Sequence, residues 1–471
     1  KELGVCDNYG LYLGFLTTTI GANKMSYSYY KIGENRNRKR IFLEANLEAA
    51  GFNCGDPYKR VNDIEGGTIT LYRLEESESL PSDRRVTKGK RKGKDRPIID
   101  LCDKTIEAVF EDTERVRVSF LRHQIIIEVH PEEFNKSKRE ESFKDNMKTG
   151  ELTHASLFTG GGISTDAIHC ALDDDGLIAE GAKWVCEADW KYIEEAKQHC
   201  LAVTDETVII NGMVEEVEPN LFTRVNILSL SMECAGFSKA GVVKHKKTAE
   251  EHSGTALFGV VNAIRNANPA IVISENVLEA KRSSIYALLT GELNRLGYKV
   301  FELELSNQQT GSIEKRRRYW MVGISENLAP HSIELPLVEQ NQNPLNSFLQ
   351  EVEESVWGEN QYLKDKSIRD AAAGKGFAKR QLLSGDETNV GTIGRHYAKR
   401  RSTEPFIVRA DGKERLLTPI EHAIVKSIPT RLVPEGGITL AHQILGQSVD
   451  YLQPYNLVRS VMNRIRPLLQ S

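Results

Sequence analysis

The sequence predicts an α/β protein whose main domain is a doubly wound sheet, preceded by a smaller β-rich region. From residue 154 to about residue 330, short apolar strands alternate with amphipathic helices, as in a parallel sheet covered by helices on both faces. Before residue 135, apolar residues recur with a period of two, which is typical of half-buried strands. Apolar residues make up 40% and charged residues 27% of the chain. This composition excludes a disordered or fibrous protein.

Charge and cysteine content narrow the class of protein further. The net charge of −4 excludes a uniformly basic nucleic-acid coat but leaves room for a local basic groove. No apolar run approaches the roughly 18 residues that a membrane span needs. The seven cysteines are odd in number and lack Cys-x-x-Cys spacing. We therefore expect no disulfide framework and no metal cluster, and a reducing cytoplasm is the favoured location.

The first 130 residues contain a degenerate internal repeat. One copy spans residues 40–74 and the other spans residues 96–129. Each copy has a strand, a helical turn built on Leu/Ile-Glu-Ala, a closing Phe and two alternating strands, so that Leu47 corresponds to Ile106. The first copy resembles the swapped-hairpin β domains of the AbrB and SymE type, which pair two such halves into one DNA-binding or interaction unit. A β-rich accessory domain without a nucleic-acid role is the alternative.

Two polar stretches lack apolar periodicity. Residues 84–96 read RRVTKGKRKGKDR, and we expect an exposed loop that is either a plain linker or a contact for phosphates. Residues 135–152 are also polar. They are expected to be a solvated linker before the α/β domain.

The first strand of the α/β region runs into a glycine-rich turn. Phe158 is followed by three consecutive glycines, from Gly160 to Gly162, and then by a helix. Such a turn lets the backbone approach a ligand closely. Glu187 ends the next strand, where a carboxylate can accept hydrogen bonds from ribose hydroxyls. Trp190 follows it, either to stack on an adenine or to pack in the core.

Three further strand ends carry reactive side chains. Cys234 follows the strand NILSLS, and is either a thiolate nucleophile or a small buried hydrophobe. Glu275 follows the buried run AIVI and is a candidate general acid. Arg316 and Arg318 alternate onto one strand face, where they would hold an anion or a ring oxygen, unless they belong to an exposed charge run.

In their order and spacing, these features resemble the DNA (cytosine-5)-methyltransferase family. The matching elements are Phe-x-Gly-x-Gly, the later Glu187, the Cys-x-Gly-Phe-Ser segment at Cys234, Glu-Asn-Val at Glu275 and x-Arg-x-Arg. Near the C-terminus, RLLTPIE at Arg415 looks like the family's R-x-L-T-x-x-E helix, and GQSV at Gly446 looks like its late G-N-S-V motif. The resemblance covers residues 154 to 468.

The resemblance implies a Rossmann-like methyltransferase fold that binds S-adenosylmethionine and flips a cytosine out of duplex DNA. Cys234 would attack carbon 6, and Glu275 would protonate ring nitrogen 3. Arg316 would contact the carbonyl at position 2, and Arg318 would brace these groups. The residues implied to hold the cofactor are Phe158, Gly160, Gly162, Glu187, Trp190, Asn211 and Ser448.

The resemblance also implies a domain plan and partners. The expected segments are an accessory domain at 1–134, a linker at 135–152, a catalytic domain at 153–330, a target-recognition domain at 331–412 and a C-terminal return at 413–471. The residues expected to contact DNA are Ser238, Arg380, Arg395, Lys399 and Arg400. Double-stranded DNA is the implied partner. A homodimer through the N-terminal domain and a cognate restriction endonuclease are left open.

The chain departs from the family pattern at several positions. Glu233 stands beside Cys234 where the family has a proline, and a neighbouring carboxylate raises the pKa of a thiol. Glu314 replaces the usual Gln ahead of the two arginines, and Gln447 replaces the late Asn. The acidic residue that meets the adenine amino group in the family is absent, and Asn211 is the candidate to replace it. These departures keep two alternatives open, an inactive DNA-binding pseudo-methyltransferase or repressor and, with less support, a tRNA cytosine-5 methyltransferase.

Overall fold

The computed structural model describes residues 26–81, 83–91, 93–232, 243–374 and 380–469. The chain divides into two compact units, Lys1–Asn135 and Lys136–Ser471. The described strands of the first unit are β1 (Ser26–Lys31), β2 (Gly33–Asn35), β3 (Arg38–Leu43), β4 (Pro57–Asp63), β5 (Thr68–Arg73), β6 (Arg84–Arg85), β7 (Thr87–Arg91), β8 (Lys94–Leu101), β9 (Arg115–Leu121) and β10 (Gln124–Val129). A helix among its described residues, α1, spans Lys104–Val109.

The first unit contains the predicted repeat as two interleaved halves. Its sheets have the strand orders β1-β9-β10-β5-β4-β6 and β2-β3-β8-β7. Equivalent strands of the two copies pair with each other, β3 with β8 and β5 with β10, and both pairs are antiparallel. The equivalent side chains Leu47 and Ile106 are both buried in one core, as are Phe52 and Phe110. The two predicted copies thus form equivalent elements within one chain, while the resemblance to AbrB-type domains stays a prediction.

The basic stretch 84–96 is not the loop that its composition suggested. It forms β6, β7 and the start of β8; Val86 is buried between two exposed residues, and Pro97, which follows the stretch, is also buried. The expectation of a loop was wrong. Most side chains of this hairpin are exposed, so apolar residues do not alternate along it and the sequence carries no strand signal.

The second unit is built on a seven-stranded sheet with the order β13-β12-β11-β14-β15-β17-β16. Its strands are β11 (His154–Leu157), β12 (Trp184–Glu187), β13 (Val208–Asn211), β14 (Ile227–Leu230), β15 (Ile271–Asn276), β16 (Tyr298–Leu305) and β17 (Arg318–Ser325). β11 to β15 are parallel, and β17 is antiparallel to both of its neighbours. The predicted α/β doubly wound fold is confirmed.

Helices cover both faces of this sheet. The helices that precede or follow its strands are α2 (Pro131–Thr149), α3 (Ile163–Asp174), α4 (Trp190–His199), α5 (Val243–Ala267), α6 (Ser284–Arg295) and α7 (Asn307–Thr310). Two apolar cores, one around Leu228 and Tyr319 and one around Ile271 and Trp320, pack against its two sides. The carboxyl ends of β11, β12, β14 and β15 meet at one edge, where ligands bind in such sheets.

The expected linker at 135–152 is largely helical, and α2 continues to Thr149. Phe143 is fully buried in a core of the second unit. The guanidinium of Arg139 donates to Ser325 Oγ at 2.9 Å and to the carbonyl of Leu296 at 2.8 Å. The helix is held in place largely by polar side chains that bond to residues remote in the sequence. Its polar composition therefore suggested a solvated linker, and that expectation was wrong.

The segment expected to recognise DNA packs in a small core that it shares with Ile313, Leu417 and Val425. Its elements are α8 (Gln361–Ala372) and a three-stranded sheet of β18 (Gln381–Leu383), β19 (Pro405–Val408) and β20 (Glu414–Arg415). Leu383, Ile393 and Ile407 pack there with Tyr397. The boundaries of the five expected segments remain a prediction, since residues 136 to 471 form one compact unit.

The C-terminal helices are α9 (Pro419–Val425), α10 (Ile438–Gln447) and α11 (Leu452–Ile465). Arg431 ties this segment to α3 through a two-pronged ion pair with Asp166, at 2.6 and 2.9 Å. Among the described residues, no helix is long and apolar enough to cross a membrane.

Candidate active site

The glycine-rich turn after β11 is an open, sharply bent backbone. Phe158, Gly160 and Gly162 all have positive φ angles, of 56°, 56° and 81°. A β-carbon on Gly162 would lie 2.9 Å from that of Cys200, so α3 begins in close contact with its neighbours. This geometry brings backbone rather than side chains to the edge of the sheet.

Glu187 at the end of β12 is held against this turn. Its Oε2 accepts a hydrogen bond of 2.8 Å from the backbone N–H of Gly160, and its Oε1 accepts one of 2.9 Å from Asp189. Each carboxylate oxygen keeps a second lone pair for a ligand hydroxyl. Trp190 begins α4 and is 50% exposed, so its ring is not consumed by core packing.

Asn211 lies at the end of β13, beside Glu187. Its side-chain amide donates to the backbone carbonyls of Glu187 at 2.9 Å and Ala188 at 3.1 Å. These bonds orient the amide oxygen and leave it as an acceptor. An acceptor at this strand end fits the amino group of an adenine, which is the role expected for Asn211.

The C-terminal return closes this edge of the sheet. A β-carbon on Gly161 would lie 2.4 Å from Ile444 Cγ2 of α10, and one on Gly160 would lie 3.5 Å from Gln447 Nε2. Ser448 donates to the carbonyl of Ile444 at 2.6 Å. Residues near the C-terminus therefore pack directly on the first glycine turn.

Glu275 and Arg318 form a pair at the same edge. Arg318 Nε lies 3.1 Å from Glu275 Oε1, and the two side chains are only 13% and 12% exposed. Burial raises the pKa of the Glu275 carboxyl, while Arg318, Arg316 and Lys426 act in the opposite direction, as does a hydrogen bond from Ser231. Because burial and the neighbouring cations shift the pKa of this carboxyl in opposite directions, the group is suited to act as a general acid and then as a general base.

Arg316 and Arg318 occupy different places. The Arg316 guanidinium is buried and donates to the carbonyls of Ile393 at 3.2 Å and Gln447 at 3.3 Å. It therefore joins the recognition segment to the C-terminal return. Arg318, which was expected only to brace the site, is the one that faces Glu275, so the roles expected for the two arginines need revision.

A buried charge cluster near Arg316 was not foreseen from the sequence. Glu314 and Lys426 are both fully buried, with Nζ 3.4 Å from Oε2. Glu314 also accepts a 2.7 Å hydrogen bond from the N–H of Ile393 and lies 3.7 Å from Arg316. Lys426 donates to the carbonyl of Ser448 at 3.1 Å. One indication of this cluster was present in the sequence, the Glu at position 314 in place of the family's Gln, because a buried carboxylate needs cations around it.

We expect Glu314→Gln to destabilise the protein by about 3–5 kcal/mol, because it leaves two cations buried together without their carboxylate. Burial first, and then Arg316, lower the pKa of Lys426 from 10.5 to about 7. Between these values the unfolded chain holds a proton that the folded chain lacks, so this group makes the free energy of unfolding rise with pH. In urea unfolding, Glu314→Gln should lower the free energy of unfolding more at pH 6 than at pH 9, where Lys426 is neutral.

The double variant Glu314→Gln/Lys426→Met is the matched control. It removes the stranded cation and should recover part of the loss, as a double-mutant cycle would show. Equal stability of Glu314→Gln and the parent protein at pH 6 would contradict a stabilising role for this carboxylate.

Three expected residues lie outside the described part of the chain: Cys234, its neighbour Glu233, and Ser238. The chain leading to them is well anchored. Asn276 donates from Nδ2 to the carbonyl of Met232 at 3.0 Å. Met232 is therefore fixed next to β15, two positions before Cys234 in the sequence.

The expected DNA contacts have different environments. Arg380 forms a buried ion pair with Glu414, at 2.9 and 2.5 Å, so it stabilises the recognition segment and is not available to a phosphate. Arg395 is exposed and donates to Tyr192 Oη at 3.0 Å. Arg400 is half-buried with a long 3.4 Å contact to an amide oxygen, and Lys399 is exposed.

The R-x-L-T-x-x-E motif has a structural role. Arg415 donates to both oxygens of Glu421, at 2.7 and 2.9 Å, and both side chains are buried. Thr418 caps α9 in a capping box with the same Glu421. The motif thus fixes the start of α9, which carries Lys426 just beyond its end.

The family model for C-5 cytosine-specific DNA methylases matches residues 168–466. The chain belongs to this family. Its members use S-adenosylmethionine as methyl donor, and the glycine turn, Glu187 and the returning α10 form a site that fits such a nucleoside.

Two relatives of this C-5 cytosine-specific DNA methylase share about a quarter of the aligned residues. The chain is 24% identical over 251 residues to the Type II methyltransferase M.SsoII of Shigella sonnei, covering 51% of this chain and 64% of that enzyme. It is 25% identical over 330 residues to M.HhaI of Haemophilus parahaemolyticus, covering 65% and 92%. The chain thus spans less than two thirds of the length of the Shigella enzyme.

Solved structures share the fold at low identity. The Dnmt2 methyltransferase of S. pombe superposes with a TM-score of 0.51 at 14% identity, covering 66% of this chain and 99% of that one. EhMeth of Entamoeba histolytica gives 0.52 at 14% identity, covering 66% and 98%. These similarities support the methyltransferase fold alone.

Proposed function

We propose that the chain methylates carbon 5 of cytosine in double-stranded DNA through a covalent Cys234 intermediate. The observation that carries the proposal is the Glu275–Arg318 pair, enclosed at the edge of the sheet beside the segment that leads to Cys234. A carboxyl group and a guanidinium side by side complement a ring nitrogen and an adjacent carbonyl oxygen. Cytosine presents that pair of atoms at positions 3 and 2.

The proposed mechanism uses the chain's own groups as follows. The target base leaves the duplex, because its reacting atoms are inaccessible inside the stack. The Cys234 thiolate then forms a bond to carbon 6, while Glu275 donates its proton to nitrogen 3 and prevents charge from building up on the ring. Arg318 donates to the carbonyl oxygen at position 2, which replaces the role first expected for Arg316.

When bound, S-adenosylmethionine would supply the methyl group for carbon 5 from its sulfonium sulfur, which would keep the bonding electron pair. The residues that would hold it are the turn at Phe158–Gly162, Glu187, Trp190, Asn211 and Ser448. Loss of the carbon 5 proton to water expels the Cys234 thiolate, and Glu275 recovers its proton from nitrogen 3. Arg316 acts from outside this set, by holding the recognition segment and the return together.

The relatives of the chain suggest the biological setting. M.SsoII and M.HhaI are Type II methyltransferases by name, and other relatives are orphan methyltransferases of Bacillus phages. We propose that this enzyme is likewise part of a restriction–modification pair or an orphan of a mobile element. A homodimer and a cognate endonuclease remain predictions.

Base-resolution sequencing of methylated cytosine tests the proposal. DNA from a methylation-free bacterial host that expresses the chain should carry 5-methylcytosine at one short recognition sequence. An unmethylated genome, with folded protein present and bound to DNA, would overturn the activity and favour the inactive DNA-binding alternative. Methylated transcripts on an unmethylated genome would identify RNA as the substrate.

A further inference from the structure

The hairpin β7–β8 lies at the edge of its sheet, and its outer end projects from the first unit as a two-stranded ribbon. β3 pairs with β8 only at Ile99–Leu101, whereas Lys94–Ile98 pair with β7 alone. Pro97 is still buried, so the part that extends freely is Lys94–Arg96, which spans roughly 10 Å at about 3.3 Å per residue. The base of the ribbon is fixed, because Val86 and Ile99 are 2% and 1% exposed in the core.

The ribbon concentrates positive charge on a chain that is acidic overall. Residues 84–96 contain eight basic side chains and a single acidic one, while the whole chain has a net charge of −4. Three of the basic groups are paired within the unit: Arg84 with Asp103, Arg85 with Glu76 and Lys88 with Asp95.

Three cations of the ribbon are exposed and unpaired. Lys90, Lys94 and Arg96 make no ion pair within the described ranges of the chain, and all three are exposed. The register places Gly89 opposite Arg96, so no side chain lies across the ribbon from this guanidinium. Lys94 and Arg96 lie on one face, and Lys90 lies on the other, because successive residues of a strand alternate in direction.

We propose that β7–β8 is a DNA-binding ribbon that enters a groove of the duplex and contacts phosphates on both sides of it. A two-stranded ribbon fits the major groove, which is about 12 Å wide. Cations on both faces of such a ribbon meet the phosphates that line the two groove walls. Gly89 and Gly93 keep it thin, and lysine and arginine side chains supply affinity that does not depend on base sequence.

The salt dependence of DNA affinity tests this proposal in the full-length chain. The triple variant Lys90→Gln/Lys94→Gln/Arg96→Gln removes these three cations, which form no ion pair among the described residues. Fluorescence anisotropy with a labelled DNA duplex gives the association constant at several salt concentrations. The plot of its logarithm against log salt concentration should become less steep by about 2.7, since each phosphate contact contributes about 0.9 to the steepness. The methylation rate at saturating DNA should not change, so a failure here is distinct from a failure of the proposed activity.

The matched control removes three other exposed cations of the same unit, in the variant Lys31→Gln/Lys59→Gln/Lys104→Gln. It has the same net charge as the ribbon variant and should keep most of the parent slope. Thermal unfolding of both variants at the parent temperature excludes a folding defect. If both variants lost the same amount of slope, the effect would come from net charge alone. If the slope of the ribbon variant were unchanged, the ribbon would not contact DNA. Either result overturns the proposal.

Discussion

Cys234→Ala is expected to abolish methyl transfer while leaving the affinity for DNA largely intact. In the proposed mechanism the reaction cannot begin without a nucleophile that adds to carbon 6, because carbon 5 becomes nucleophilic only after that addition. Transfer of tritiated methyl groups from S-adenosylmethionine to DNA measures the first effect. Anisotropy with the same duplex measures the second.

The matched control is Cys54→Ala, since Cys54 is exposed and lies in the first unit. It should keep full activity. A covalent adduct trapped on DNA containing 5-fluorocytosine, present in the parent protein and in Cys54→Ala but absent in Cys234→Ala, would identify the thiol directly. Retained transfer in Cys234→Ala would refute the assignment of the nucleophile.

Glu275→Gln is expected to lower kcat by about 10²- to 10⁴-fold, which is the usual contribution of a positioned general acid. Glutamine keeps the shape of the side chain and an amide N–H for the ring, but it has no proton to transfer. The parent enzyme should lose activity as pH rises, because burial raises the pKa of Glu275 and the catalytic form is the protonated one. The alkaline decline of kcat should be absent or displaced in Glu275→Gln.

Glu304→Gln is the matched control for this substitution. Glu304 also pairs with an arginine, Arg317, at 2.6 Å, but on the exposed surface. Such a pair contributes little to stability, and it takes no part in the proposed chemistry. Both variants should retain the fold. A change of less than tenfold in kcat for Glu275→Gln, or an equal loss in Glu304→Gln, would show that the carboxyl of Glu275 is not the proton donor.

The sequence alone predicted the framework of the site. Alternating strands and helices predicted a parallel sheet, and the ends of parallel strands meet at one edge by necessity. The glycine turn, Glu187 and Glu275 were therefore expected to lie together at that edge. The repeat in the first unit was also predictable, since Leu47 and Ile106 occupy equivalent positions in two similar segments.

Other features depended on segments that are remote in the sequence. Strand periodicity places Arg316 and Arg318 on the same face, but it does not say what covers each one. Ile393 and Gln447 supply the carbonyls that bind Arg316, and this leaves Arg318 to face Glu275. Likewise, the buried side of α2 depends on partners such as Ser325, 186 residues away from Arg139. A local sequence window cannot contain such partners.

The protein's family, its sheet and the strand ends that carry its reactive groups were thus determined by local periodicity and motif order. Which cation faces the proposed substrate, which arginine is buried in an ion pair and where the basic hairpin projects were decided only by tertiary structure. The physical reason is that burial, and with it the environment of a charge, depends on the segment packed above a residue. That segment is set by the whole fold and not by the neighbours in the chain.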